Sequence, residues 1–140
     1  MAYIKQDDAA AVRALMRSMY FSNGTIDGFL ATATAGQVSA VRGLIASGCH
    51  RIVVIEPFLF SVPEELLTWR PRLHSLCQLL RARIAQMQAD FPAVSISCIS
   101  VQERFDTAAK KDGIRSMTVD GIHLTKRGHR MLADILLTYL

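Results

Sequence analysis

A carboxylate and an imidazole stand three residues apart near the C-terminal end of the chain, in the stretch Asp120-Gly121-Ile122-His123-Leu124-Thr125. An acid at this spacing could orient the imidazole and stabilise its charged form, as in the base half of a Ser-His-Asp device. Asp120 and His123 are therefore the first candidates for catalysis. The nucleophile must come from elsewhere in the chain.

The other histidines do not extend this pair into a metal site. His50 follows a glycine that ends a predicted helix, and His74 falls on the polar side of another. A site built from Asp120, His123 and His129 would place the histidines six positions apart. That is not the i, i+4 spacing that faces two ligands together on a helix, so we predict no metal and no cofactor.

The composition is that of one globular domain over residues 1–140, with 51% hydrophobic and 20% charged residues. No apolar run in the sequence reaches the roughly 18 residues that a membrane span requires, so we expect no membrane partner. The N-terminal stretch has acids where a secretory signal places its apolar core, which predicts a cytoplasmic protein.

Two further classes of protein are disfavoured. Cys49, Cys77 and Cys98 are an odd number in apolar contexts without CxxC spacing, which predicts reduced thiols rather than a disulfide framework or a zinc site. The net charge is +4, but the 16 Lys and Arg residues are scattered, without a cluster interleaved with aromatics. We therefore expect no nucleic-acid partner.

The elements that must position the pair alternate along the chain. Helical spacing predicts helices over residues 9–19 and 35–47, the second ended by Gly48, and the run around Tyr20 is the end of a helix or a short strand. The β-branched run 51–57 predicts a strand buried on both faces, and a loop follows over residues 58–65.

The second half repeats the alternation. We predict a helix over 71–90, a strand over 94–101 nearer the sheet edge, and a polar helix fragment with a loop over 102–118. Thr125 can cap a final helix whose buried face comprises Met131, Leu132, Ile135, Leu136 and Tyr139. This order is typical of a layered α/β fold with parallel strands.

The terminal stretch, followed by Gly128-His129 and an amphipathic helix, resembles the last block of the SGNH or GDSL hydrolases, with its Asp-x-x-His signature. The order of elements upstream is similar to the second half of that family, so the resemblance covers about residues 20–140. It implies a three-layer α/β/α fold with a mainly parallel, flavodoxin-like sheet, shortened here at the N-terminus. It also implies that Asp120 is the orienting acid and His123 the general base.

The chain departs from the family's other blocks. No Gly-Asp-Ser sequence occurs, and the Gly-x-Asn-Asp block has its nearest counterpart in Gly24-Thr25-Ile26-Asp27. Isoleucine cannot donate a hydrogen bond, so the oxyanion site loses a donor whose removal commonly costs about 100-fold or more in rate. Gly24 and Asn23 remain as oxyanion or substrate-binding candidates from this loop. Ser22 is the candidate nucleophile, Ser61 a weaker one, and a serine from a second chain is a further alternative.

The resemblance also leaves a sheet edge open. The N-terminal region is too short to hold two more strands with their helices, so the strand near Tyr20 would lie at an edge that the family normally covers. An uncovered edge tends to recruit another strand, which predicts a homodimer or a partner chain.

Two functions follow from these observations. The first is hydrolysis of a small acyl or acetyl ester by a serine that His123 activates. The alternative is a catalytically degenerate relative that works as a binding or assembly module, which the absent Gly-Asp-Ser block and Ile26 favour.

Overall fold

A computed structural model describes the backbone of residues 26–61 and 65–140, and the side chains of residues 31–61 and 66–140. The predicted helix over residues 9–19 and the short strand near Tyr20 lie outside this range. The described part is a mixed α/β structure. Its elements are α1 (Ile26–Ala46), β1 (Arg51–Ile55), α2 (Glu65–Asp90), β2 (Ser95–Ile99), α3 (Gln102–Asp112), a 3-10 turn (Ile114–Ser116) and α4 (Lys126–Leu137).

The two described strands form a parallel sheet, in a register that runs from Arg51 opposite Ser95 to Ile55 opposite Ile99. Both predicted strands and their parallel course are confirmed. Each is shorter than its pattern suggested. The ladder ends with the bond from Glu56 N–H to the Ile99 carbonyl, and Pro57 follows directly.

Successive side chains of β1 pack into different hydrophobic clusters, as the period of two along a strand requires. Ile52 and Val54 pack with residues of α1, of α2 and just before β2: Val38, Val41, Leu80, Ile84, Met87 and Val94. Val53 and Ile55 pack against residues of β2, α3, α4 and the segments that connect the elements: Phe60, Ile99, Val101, Phe105, Met117 and Ile135. Ile52 and Val54 are buried, whereas Val53 and Ile55 are half-buried, so the predicted burial of β1 on both faces is complete on one face only.

Helix boundaries differ more from the predictions. Gly48 ends α1 as expected, because its φ of 91° is in the left-handed region that favours glycine. However, α1 begins at Ile26, not at residue 35. The helix predicted from Pro71 begins earlier, at Glu65, and Pro71 lies inside it. Leu66, in its first turn, is fully buried, so tertiary packing stabilises the turns before the proline.

Two smaller features complete the description. The predicted buried face of α4 includes Tyr139, but this is wrong because Tyr139 lies past the end of the helix and is exposed. None of the helices in the described ranges is both long enough and apolar enough to cross a membrane.

Candidate active site

The Asp120–His123 turn is closed at its base and leads directly into α4. An antiparallel bridge joins Thr118 to Leu124. Thr125 N–H then donates to the Met117 carbonyl at 3.0 Å, and the Thr125 hydroxyl accepts from Gly128 N–H at 3.1 Å, which caps α4. The predicted capping role of Thr125 is confirmed, and its consequence is that the turn is fixed to the start of a packed helix.

The Asp120 carboxylate makes three hydrogen bonds within the turn. Oδ2 lies 2.6 Å from Nδ1 of the His123 ring. Oδ1 accepts from the backbone N–H of Ile122 at 2.9 Å and from that of His123 at 2.7 Å. The carboxylate is therefore held on one side by the backbone and directs its other oxygen at the imidazole.

These contacts set the charge of Asp120. Burial disfavours the charged form and alone would raise the pKa of the Asp120 carboxyl. Hydrogen bonds from the backbone and ring of His123 and from the backbone of Ile122 outweigh burial, so the pKa lies below its ordinary value. Asp120 is thus a carboxylate at neutral pH.

An ionised carboxylate only accepts hydrogen bonds, so the ring nitrogen that faces it carries the proton. In the neutral imidazole of His123, Nε2 is then the nitrogen with a free lone pair. The Asp120 side chain is 9% exposed, whereas that of His123 is 46% exposed. The pair is therefore a buried acid behind an accessible base, which is the arrangement that proton abstraction from a hydroxyl requires.

The turn is also tied to the sheet. Phe60 N–H, in the loop after β1, donates to the Gly121 carbonyl at 3.1 Å, and Gly121 has a φ of 95° that favours glycine. Because this loop leaves the carboxyl end of β1, the pair lies on that side of the sheet. Ligands of parallel α/β sheets bind beyond the carboxyl ends of the strands.

The other predicted site residues are not seen next to the Asp120–His123 pair in the described part of the chain. Ser22, Asn23 and Gly24 lie outside the described residues. Among the described residues, the His123 ring forms its hydrogen bond with Asp120. Ser61 is half-buried next to Phe60 and lines a cavity of about 310 Å³ together with Arg70, Asp106, Lys110 and Ile114.

Two of the three cysteines do not supply a substitute nucleophile. Cys77 and Cys98 flank the buried carboxylate of Glu56, which Arg81 pairs through Nε and, at 2.8 Å, through Nη2. Burial, followed by the charge of Glu56, raises the pKa of each thiol to about 11. Both thiols are therefore protonated at neutral pH, and the thiolate is the reactive form.

His129 does not join the pair. It is exposed on the first turn of α4. Among the described residues, no group of three or more His, Cys, Asp and Glu side chains is arranged to hold a metal ion.

Thr118 belongs to the site but was not predicted from the sequence. Thr118 is 2% exposed, and its hydroxyl contacts the backbone of the turn at both Gly121 and His123. A threonine two residues before an acidic turn is a weak signal, since such hydroxyls often bond to nearby backbone groups.

Comparison with known proteins adds no relative, since no family model, curated protein or solved structure matches the chain.

Proposed function

We propose that the protein is an ester hydrolase of the SGNH type, which acts on small acyl or acetyl esters through the Asp120–His123 pair and a serine nucleophile. The observation that carries the proposal is the 2.6 Å contact between Asp120 Oδ2 and His123 Nδ1. Two further observations support it. The other carboxylate oxygen of Asp120, Oδ1, accepts two backbone hydrogen bonds, and the His123 ring is accessible to solvent.

In the proposed reaction, the serine oxygen attacks the ester carbonyl carbon and His123 Nε2 takes the hydroxyl proton. Asp120 stabilises the imidazolium that forms. The tetrahedral intermediate collapses to an acyl-enzyme, and the imidazolium gives its proton to the departing alcohol. Water, deprotonated by the same nitrogen, then attacks the acyl-enzyme, which releases the carboxylic acid and restores the serine.

Ser22 is the proposed nucleophile. The Gln37 side chain in α1 bonds to the Ile55 carbonyl at 3.0 Å, so the middle of α1 lies level with the end of β1. Gln37 lies 11 positions after Ile26, a distance of about 16 Å along the helix. Because α1 leads back to the start of β1, its first turns extend past the carboxyl end of the sheet. Ser22 stands four positions before Ile26, which supports its role.

The proposed fold is a three-layer α/β/α domain of the flavodoxin-like kind. It is supported by the separate hydrophobic clusters in which alternate residues of β1 pack, one with helices α1 and α2 and the other with α3 and α4. The free thiols of Cys49, Cys77 and Cys98 fit a cytoplasmic location.

The proposal extends to assembly. Ser95 N–H bonds to the His50 carbonyl and Glu56 N–H to the Ile99 carbonyl, so the even-numbered residues of β1 face β2. Val53 therefore directs its backbone groups at the other edge. Gln37 Oε1 is buried near that edge without a hydrogen-bond partner among the described residues. A strand from a second copy or a partner chain would pair with this edge.

The alternative is a degenerate relative that serves as a binding or assembly module. It is favoured by Ile26, which stands where the family has its oxyanion asparagine and is the first residue of α1. Such a protein would keep the Asp120–His123 turn as a structural feature and would have no turnover.

Turnover of short-chain nitrophenyl esters separates the two functions. We expect hydrolysis by the wild type and a loss of about 1,000-fold or more in His123→Ala, because the base acts as a unit with the nucleophile. His129→Ala is the matched control and should retain activity. Equal rates in the wild type and His123→Ala, or no turnover by the wild type, would contradict the hydrolase proposal.

A further inference from the structure

The hydroxyl of Thr118 is the centre of the hydrogen bonds that hold the Asp120–His123 turn. It accepts from Gly121 N–H at 2.9 Å and donates to the His123 carbonyl at 2.7 Å. Thr118 is 2% exposed, and Gly121 is buried as well. Water therefore has little access to replace either bond.

A hydroxyl is required for this arrangement because it donates and accepts at the same atom. Valine has the same shape but could do neither, so the buried Gly121 N–H would lose its acceptor. Serine could do both.

The contact acts on the pair through its backbone. The His123 carbonyl accepts from the Thr118 hydroxyl and from Val119 N–H at 3.0 Å, which fixes the peptide that follows the imidazole. The bond from Gly121 N–H fixes the peptide that follows Asp120. The two residues of the pair are thus tied to one buried oxygen from both sides.

We propose that Thr118 is a positioning residue, whose hydroxyl sets the distance and orientation between the Asp120 carboxylate and the His123 ring. As a role in catalysis, this rests on the proposed function. As a role in holding the pair, it can be measured without any substrate.

The test compares Thr118→Val with Thr118→Ser by proton NMR of the folded proteins. A ring proton shared between a nitrogen and a carboxylate oxygen that lie 2.6 Å apart gives a resolved resonance at low field. We expect this resonance of His123 in the wild type and in Thr118→Ser, and its loss in Thr118→Val. A folded Thr118→Val that keeps the resonance unchanged would overturn the proposal, and so would Thr118→Ser that loses it.

Amide exchange in the wild type provides a measurement that needs no variant, should Thr118→Val fail to fold. The Gly121 amide should exchange slowly, because its acceptor is the buried Thr118 oxygen. Exchange at the rate of an open loop would overturn the proposal.

The effect of the Thr118 substitutions on catalysis is measured separately, as the rate at which a serine-directed fluorophosphonate labels the protein. We expect about a 100-fold slower rate in Thr118→Val, since misplacement of a catalytic group costs rates of that order. Thr118→Ser should stay near the wild type. A wild type that does not label refutes the hydrolase function, whereas the NMR and exchange results still decide the role of Thr118.

Discussion

At the scale of single residues, the site depends on the protonation of one imidazole. The three bonds to the Asp120 carboxylate keep it ionised, and the carboxylate keeps the proton of His123 on Nδ1. The accessible Nε2 then has the lone pair that a general base needs.

Asp120→Asn tests this dependence. The amide nitrogen would donate to Nδ1 and move the ring proton to Nε2, which removes the base while its geometry is retained. We expect esterase activity to fall on the order of 10,000-fold, as in Ser-His-Asp sites. Asp134→Asn, an exposed acid on α4, is the matched control. Full activity in Asp120→Asn would show that the tautomer of His123 does not matter.

Acid stability gives a second test of Asp120. Its pKa is lower in the folded chain than its ordinary value, so the turn stabilises the fold above about pH 4. This contribution is lost as the pH falls through the lowered pKa. In urea unfolding between about pH 6 and pH 3, the wild type should lose more stability than Asp120→Asn. Parallel losses in the two proteins would contradict the assignment.

The spacing of Asp120 and His123 was sufficient to predict their hydrogen bond. A tight turn brings residues three positions apart close together and restricts the positions that their side chains can take. Thr118 could not be predicted in the same way. Its contacts exist only because the bridge to Leu124 closes the turn, and that bridge depends on the packing of α4.

At the scale of elements, the start of α4 decides where the turn lies. A Cβ at Gly128 would stand 2.5 Å from the Met117 carbonyl oxygen and 3.1 Å from the Leu124 side chain. The helix can approach the base of the turn this closely only because residue 128 is glycine.

Gly128→Ala should therefore destabilise the protein by about 1 to 3 kcal/mol, since the obstructing atom is backbone and cannot rotate away. Gly36→Ala in α1 is the control, because a Cβ there meets nothing within 4 Å. It should stabilise the protein by about 0.5 to 1 kcal/mol. The free energies of unfolding from urea titrations test both, and equal changes in the two variants would contradict the close approach.

The strands were more predictable than the helix ends. A run of β-branched residues specifies a buried strand almost by itself, and β1 follows it. The first turns of α1 contain Gly28, Thr32 and Thr34, which are weak helix formers, and Thr34 is 6% exposed. Burial of Thr34 depends on the rest of the fold, which a local pattern does not contain.

At the scale of the whole molecule, the edge of β1 opposite β2 links the fold to assembly. Its backbone groups are directed away from β2, and the Gln37 side chain contacts one of them, the Ile55 carbonyl. The sequence predicted an open edge at the strand near Tyr20, which lies outside the described residues, and which chain pairs with the β1 edge depends on contacts beyond them.

Solution mass tests the assembly. We expect the wild type to exceed the monomer mass of 15.5 kDa, and Val53→Pro to lower the mass by removing an N–H on the outer edge. Val54→Pro is the control, because it breaks the ladder to β2 and should unfold the protein. A wild type that is monomeric in dilute solution would contradict an edge-paired assembly.

The most direct test of the central claim is labelling of the intact protein by a fluorophosphonate, followed by peptide mapping. A serine oxygen activated by His123 would bond to phosphorus and expel fluoride, and the imidazole would take the serine proton. We predict one phosphonylated serine, on the peptide that contains Ser22, with labelling abolished in His123→Ala and retained in His129→Ala. Absence of any labelled serine in the wild type, or equal labelling in His123→Ala, would contradict the account.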